Sequence, residues 1–184
     1  MKKLLLVTGD LATGKSTFAD ILSNRYDTGV FHKDSIKEVL GDTIGFANRE
    51  ENLKLSKATA ELMAFLFQEF AKRNQNLILE SNFHTEELEK LNRTASENGY
   101  EVLTLVLRGN MEILHQRYVN RILHENRHPV HLSTTLDIYD DFKEYIERAR
   151  KERIPGMTIL VNADDFSYQT DEILLAELDE FMGN

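Results

Sequence analysis

The chain has 184 residues, no cysteine and a formal net charge of −9. The length fits one domain with a substantial core, and the lack of cysteine excludes disulfides and thiolate metal sites. The acidic balance argues against long nucleic acids as partners, because binding to their phosphates depends on clustered lysine and arginine. The apolar run Leu4–Val7 is too short for a signal-peptide core or a membrane span, so we expect a cytoplasmic protein without membrane contact.

Five short apolar runs predict buried strands, and the segments between them show helical spacing. The runs are Leu4–Thr8, Val30–Phe31, Asn76–Glu80, Glu101–Leu107 and Met157–Val161. Two predicted helix faces are Leu55, Leu62, Met63, Leu66 and Phe70, and then Leu136, Tyr139, Phe142, Ile146 and Ala149. Strands that alternate with helices predict an α/β fold with a parallel sheet covered on both faces. Ligands of such sheets bind beyond the carboxyl ends of the strands.

The first strand runs directly into G-D-L-A-T-G-K-S, which matches G-x-x-x-x-G-K-[ST] and precedes a predicted helix. In this motif the glycines turn backbone N–H groups towards phosphate oxygens, and the helix start adds a positive dipole end. Lys15 supplies charge for the β- and γ-phosphates, Ser16 a hydroxyl for Mg²⁺, and Thr17 a further phosphate contact. A glycine-rich turn formed by chance is rare in this context. We predict a nucleotide site at Gly9, Asp10, Leu11, Ala12, Thr13, Gly14, Lys15, Ser16 and Thr17.

The chain lacks the N-K-x-D of GTPases and the L-S-G-G-Q of transporter ATPases. With its phosphate motif it resembles the small P-loop kinases that phosphorylate hydroxyls, such as polynucleotide 5′-kinases, chloramphenicol phosphotransferases, gluconate kinases and zeta-toxin kinases. The resemblance covers nearly the whole chain. It implies a three-layer α/β/α sandwich with a mainly five-stranded parallel sheet, one kinase domain over residues 1–184, and an arginine-bearing lid at about 110–135. It also implies ATP and Mg²⁺ as cofactors.

The second predicted strand is followed by F-H-K-D-S-I-K. In the resembled kinases an aspartate at this place takes or directs the proton of the acceptor hydroxyl, which implies that Asp34 is the general base. Alternatively, Asp34 caps the helix predicted at Ser35–Leu40. His32, Lys33 and Lys37 are expected to contact the acceptor.

The third strand ends in L-I-L-E-S-N-F. The resembled kinases carry an aspartate where Glu80 stands, which implies a role for Glu80 beside Ser16 in the metal site. Glu80 is longer by one methylene, so Ser81 and Asn82 would share the polar contacts. The alternative is a strand-end carboxylate that meets solvent.

Three arginines follow the fourth strand: Arg117 and Arg121 lie one helical turn apart, and Arg127 lies in a less regular stretch. In the resembled kinases this lid meets the charge on the transferring phosphoryl group, and we rank Arg121 first. The alternative is a solvated helix paired with Glu112 and Glu125.

Histidines crowd the same segment, but only His124 and His128 have i,i+4 spacing, so we expect no zinc site. His128 and His131 are expected to shape the lid or contact the acceptor. After the last strand, the resemblance places Asn162 and Ala163 beside the adenine.

The sequence therefore predicts an ATP-dependent phosphotransferase that acts on a hydroxyl of a small molecule or nucleotide. The predicted catalytic residues are Lys15, Asp34, Arg117, Arg121 and Arg127. One alternative is an ATP-dependent switch that acts on a protein partner, and another is a polynucleotide 5′-hydroxyl kinase. The sequence names neither the acceptor nor the oligomeric state.

Overall fold

A computed structural model describes residues 2–125, 127–131 and 135–183. Its centre is a parallel sheet of five strands in the order β2-β3-β1-β4-β5. The strands are β1 (Lys2–Gly9), β2 (Gly29–His32), β3 (Leu77–Glu80), β4 (Tyr100–Arg108) and β5 (Met157–Asn162). The predicted α/β fold with a five-stranded parallel sheet is therefore confirmed, and each predicted strand is present with both ends within two residues of the predicted ones.

Helices connect the strands and cover both faces of the sheet. They are α1 (Lys15–Tyr26), α2 (Lys33–Ile44), α3 (Arg49–Lys72), α4 (Thr85–Glu97), α5 (Met111–His124), α6 (Tyr139–Ala149) and α7 (Glu172–Met182). Two short 3₁₀ turns, Pro129–His131 and Ser167–Thr170, complete the described structure. Across the described ranges, no helix has the length and apolar character that crossing a bilayer requires.

The central strand β1 explains why the sequence begins with an uninterrupted apolar run. Leu5 and Val7 pack on one face of the sheet against Phe18 of α1, together with residues of α7. Leu4 and Leu6 pack on the other face with residues of α3 and α4. Because both faces of β1 are buried, polar residues are absent from alternate positions as well.

Two predicted helix faces differ from the observed ones. On α3 the buried residues are Leu55, Thr59, Met63, Phe67 and Ala71. They follow a strict four-residue spacing, so Leu62 of the predicted face is 37% exposed. The sequence did not reveal this register because the polar residue Thr59 interrupts the apolar stripe. Thr59 tolerates burial because its hydroxyl donates to the Leu55 carbonyl at 2.7 Å. On α6, Phe142 and Ile146 are buried as predicted, whereas Ala149 is exposed.

The order of the strands fixes where a ligand can bind. β1 lies between β3 and β4, and the chain leaves its carboxyl end at the point where the strand order reverses. In open α/β sheets the crevice at such a point accepts the ligand. The carboxyl ends of β2 and β3 lie beside it, which brings together the three segments singled out in the sequence.

Candidate active site

The loop between β1 and α1 forms a closed cradle of backbone groups. Ala12 and Gly14 adopt left-handed conformations, with φ of 59° and 84°, and Gly14 caps the start of α1. Two side chains hold the loop: the Thr13 hydroxyl donates to the Asp10 carbonyl at 2.9 Å, and the Tyr168 hydroxyl donates to the Thr13 carbonyl at 2.7 Å. Left-handed residues in such a turn direct successive N–H groups to one side, which is the geometry that binds anions.

Lys15 lies inside this cradle. Its side chain is almost fully buried, and its ammonium group donates to the Asp10 carbonyl at 2.6 Å. Burial lowers the pKa of Lys15, and the nearby carboxylates, Glu80 first among them, oppose that shift. The charge is thus poorly hydrated and lies beside the N–H groups, where a phosphate oxygen would replace the water that burial has removed.

Gly9 and Asp10 have a different role from the other residues of the motif, since neither lines the main cleft. Gly9 packs so closely on β4 that a Cβ there would lie 2.0 Å from the Leu107 carbonyl oxygen. The Asp10 carboxylate turns away from the cradle and accepts from the Arg150 guanidinium at 2.6 Å. Gly9 therefore holds the loop against β4, and the Asp10 side chain holds it against Arg150 at the end of α6. The nucleotide contact of these two residues stays a prediction.

The proposed metal position is formed by Ser16 and Glu80. The Ser16 hydroxyl donates to Glu80 Oε2 at 3.0 Å, and the Glu80 side chain is only 6% exposed. The alternative of a solvated strand-end carboxylate is therefore wrong, because β3 is an interior strand and α1 covers its end. A hydroxyl that donates its proton to a carboxylate keeps its lone pairs for a cation, so this pair of oxygen groups fits Mg²⁺.

Asp34 lies in the first turn of α2, which begins at Lys33, two residues before the predicted start. The N-cap residue is His32, so the capping alternative for Asp34 is wrong. The Asp34 side chain is 66% exposed and lines the main cleft. An exposed carboxylate at the cleft wall is accessible to a substrate hydroxyl.

The three other residues expected at the acceptor have protein partners instead. Lys33 donates to the Glu87 carboxylate at 2.7 Å, and Lys37 donates to the Val130 carbonyl at 3.2 Å. His32 lies between the Glu80 and Asp20 carboxylates. Their side chains therefore connect secondary-structure elements, a role that spacing in the sequence did not reveal.

The three arginines of the predicted lid all line the same cleft. Arg117 donates to the Ala163 carbonyl at 2.8 Å and to the Asp164 carbonyl, and its guanidinium lies 4.3 Å from the Phe166 ring centroid. The Arg121 guanidinium donates to the Glu125 carboxylate at 3.2 Å, and both side chains line the cleft. The Arg127 guanidinium lies 5.8 Å from the Tyr118 ring centroid.

Residues 128–131 of the lid segment are docked on α2 and α3. His128 contacts the Asp42 carboxylate at 2.9 Å, and His131 contacts Glu38 at 2.8 Å and Asp34 at 3.8 Å. The Val130 carbonyl accepts from Lys37 and from Asn52, while the Val130 side chain is buried over Gly41. The base of the lid is a separate apolar cluster of α5 and α6, formed by Leu114, Tyr118, Phe142 and Ile146.

The cleft has a volume of about 630 Å³ and brings all the predicted catalytic and metal residues together. Its lining includes four cations, Lys15, Arg117, Arg121 and Arg127, and three carboxylates, Asp34, Glu80 and Glu125. Beyond β5 the wall is formed by Phe166 and Gln169, whereas Ala163, one of the two residues predicted beside the base, is fully buried. A locally cationic cleft in an acidic protein is suited to a polyphosphate.

Comparisons with known proteins identify the family and the fold. The family model described as Zeta toxin matches residues 1–173. Among solved structures, an inferred kinase of Chloroflexus aurantiacus J-10-fl superposes with a TM-score of 0.82 at 23% identity, with 97% of each chain covered.

Two further solved structures belong to kinases of small molecules. The shikimate kinase of Bacteroides thetaiotaomicron gives a TM-score of 0.62 at 17% identity over 99% of both chains. The gluconokinase of Sinorhizobium meliloti 1021 gives 0.63 at 15% identity over 99% of this chain and 94% of that one. No curated protein sequence matches the chain. The resemblance to P-loop kinases is confirmed, and these structures show a shared fold.

Proposed function

Because the chain belongs to the zeta toxin family, we propose that it is a phosphotransferase that moves the γ-phosphoryl group of ATP to a hydroxyl of a small molecule. The observation that carries the proposal is the single cleft in which a phosphate cradle, Lys15 and the exposed Asp34 carboxylate meet. A donor site alone needs no carboxylate opposite the phosphates. Phosphoryl transfer to a hydroxyl does need such a carboxylate, because a side chain must orient the attacking hydroxyl.

The donor side of the proposal uses the residues of the cradle. Backbone N–H groups between Leu11 and Thr17 would hold the phosphates, and Lys15 would add charge at the β- and γ-phosphates. Ser16 and Glu80 would hold Mg²⁺ directly or through its water, and the bound ion would neutralise charge on the phosphate oxygens. The stacked pair of Arg117 and Phe166 would lie along the base.

The acceptor side of the proposal uses Asp34 as the general base. The acceptor oxygen attacks the γ-phosphorus, its proton passes to the Asp34 carboxylate, and the bond to the bridging oxygen breaks to release ADP. Arg121 and Arg127 would meet the charge on the transferring group, because pre-placed donors stabilise charge that develops in the transition state. In this proposal residues 1–184 form one kinase domain, and residues 110–135 form the lid.

The acceptor class rests on the kinds of molecule that proteins of this fold act on. Two of the structural relatives are named for gluconate and shikimate as substrates. Both are small, polar and rich in hydroxyls. A cleft of about 630 Å³ would hold a nucleotide together with an acceptor of that size.

The experiment that tests the proposal is mass spectrometry of a metabolite extract incubated with ATP, Mg²⁺ and the protein. We expect one species heavier by a phosphoryl group in the wild-type sample. Asp34→Asn should retain ATP affinity but lose at least about a hundredfold in turnover, the usual contribution of a general base. Lys15→Met should lose both ATP affinity and turnover. The matched control is Asp140→Asn, because Asp140 is an exposed aspartate in the first turn of a helix, as Asp34 is, but lies outside the cleft.

Two results would contradict the proposal. Equal turnover of Asp34→Asn and wild type on the same acceptor would remove Asp34 as the base. ATP hydrolysis at equal rates in both samples, with no phosphorylated product, would replace the kinase by the nucleotide-dependent switch.

A further inference from the structure

Behind the proposed metal position lies a row of four polar side chains that join three elements. Ser16 and Asp20 lie one turn apart on α1, His32 ends β2, and Glu80 ends β3. The imidazole of His32 bridges two carboxylates: its Nδ1 is 3.0 Å from Glu80 Oε2, and its Nε2 is 2.9 Å from Asp20 Oδ1. Both ring nitrogens are thus engaged.

The backbone holds this bridge in register. His32 and Glu80 are partners in the parallel ladder of β2 and β3, so their side chains leave the sheet on the same face. The Asp20 carboxylate is 58% exposed, the imidazole 16% and the Glu80 side chain 6%. The row therefore runs from solvent inward and ends at the carboxylate that faces the cleft.

The two donors to Glu80 leave one of its oxygens free. The Ser16 hydroxyl and the His32 imidazole both contact Oε2. Within the part of the chain that the structure describes, no hydrogen bond ends on Glu80 Oε1. A glutamate has one more rotatable bond than an aspartate, so its carboxylate needs an external partner to keep one orientation. Two donors on a single oxygen fix the plane of the carboxylate of Glu80, which lines the cleft, and leave the other oxygen for a cation.

We propose that His32 is a positioning residue of the metal site, which fixes the Glu80 carboxylate for the Mg²⁺ that Ser16 and Glu80 would bind. This inference rests on the proposed function. Residues that hydrogen-bond metal-binding carboxylates orient them, and their loss commonly weakens metal affinity about 10- to 100-fold. Asp20 is the outer anchor that holds the imidazole. The raised pKa of His32, caused first by its hydrogen bond to Glu80, agrees with a ring that donates to carboxylates.

The test compares variants that remove or keep the contact to Glu80. His32→Leu removes both hydrogen bonds. His32→Asn keeps a donor at the place of Nδ1, and His32→Gln keeps one only at the place of Nε2. Asp20→Ala removes the outer anchor and leaves the imidazole. The readouts are the Mn²⁺ affinity of the protein with ADP, followed by electron paramagnetic resonance, and the ADP affinity in the presence of a chelator.

We expect the Mn²⁺ dissociation constant of His32→Leu and His32→Gln to rise about 10- to 100-fold, with metal-free ADP affinity within twofold of wild type. His32→Asn should recover most of the loss, and Asp20→Ala should show a smaller loss in the same direction.

Three results would overturn the inference. The first is Mn²⁺ affinity of His32→Leu equal to that of wild type, and the second is Mn²⁺ affinity of His32→Asn no better than that of His32→Leu. The third is a metal-free ADP affinity that falls as much as the Mn²⁺ affinity, which would indicate that His32 has a purely structural role. Failure of the proposed function has a different signature, because the wild type would then still bind Mn²⁺ with ADP but would yield no phosphorylated acceptor in the mass-spectrometric assay.

Discussion

The ion pair of Arg150 and Asp10 provides a stability prediction whose size follows from the contacts. The Asp10 side chain is 2% exposed. It accepts from Arg150 Nη2 at 2.6 Å and from Arg150 Nε at 3.2 Å, and from the Gly109 N–H at 3.2 Å. Arg150→Gln would leave the buried carboxylate with the Gly109 contact alone.

Breaking a buried ion pair by removing one partner costs about 3–5 kcal/mol, because the remaining charge is left without compensation. The Arg150 side chain is 27% exposed, so water reaches the pair, and we expect a loss near the low end, about 3 kcal/mol. With a urea m value of about 2–3 kcal/mol/M, the midpoint of unfolding should fall by about 1–1.5 M.

The matched control lies three residues further along. Arg153 pairs with Glu89, and the two side chains are 74% and 37% exposed, so Arg153→Gln should cost under about 1 kcal/mol. The double variant Asp10→Asn with Arg150→Gln should recover part of the loss, since a buried amide is less costly than a buried unpaired carboxylate. A midpoint of Arg150→Gln equal to that of Arg153→Gln, or a double variant less stable than Arg150→Gln, would show that the buried pair does not stabilise the fold by this amount.

Two further predictions concern Gly9, at the end of the central strand β1, and Glu152, an acidic residue that does not line the cleft. Gly9→Ala should prevent folding, because φ of Gly9 is 130° and the new Cβ would overlap the Leu107 carbonyl. The measurements are the yield of soluble protein and its circular dichroism. A normal yield of folded protein would contradict this packing. Hydrogen bonds from Thr85, and then from His84, lower the pKa of Glu152 from 4.5 to about 2. The contribution of these hydrogen bonds to the free energy of unfolding is present above pH 4.5 and is lost as the pH falls towards 2. The unfolding free energy of wild type should therefore decline more steeply over this interval than that of Glu152→Gln, and parallel curves would refute the assignment.

The donor side of the cleft was predictable because its residues are contiguous. The phosphate motif names Lys15 and Ser16 by spacing alone, and the strand before it is an unbroken apolar run. Asp34 and Glu80 could be placed at the same edge of the sheet, since Asp34 follows the second predicted strand, Glu80 ends the third, and the carboxyl ends of parallel strands meet there. Their proposed roles came from the resemblance to small P-loop kinases, because spacing alone left the capping and solvent alternatives open.

The supporting residues were not predictable from local patterns. Arg150 meets Asp10 across 140 positions of the chain, and nothing in the sequence around either residue marks the pairing. His32 could have been associated with Glu80 by aligning the ends of the second and third predicted strands, but that requires the strand order. Thr59 was missed because a polar residue interrupts an apolar stripe, although its hydroxyl is satisfied within its own helix.

The docking of the Pro129–His131 turn on α2 links two stretches of chain that are far apart in sequence. Gly41 leaves room for Val130, the Asp42 carboxylate faces His128 just before the turn, and the Glu38 carboxylate faces His131 within it. A larger residue at position 41, or a reversed charge at 38 or 42, demands a compensating exchange in the turn. The phosphate cradle shares none of these contacts. Residues of the proposed acceptor side can therefore change during evolution in matched pairs of substitutions, while the residues of the phosphate cradle stay the same.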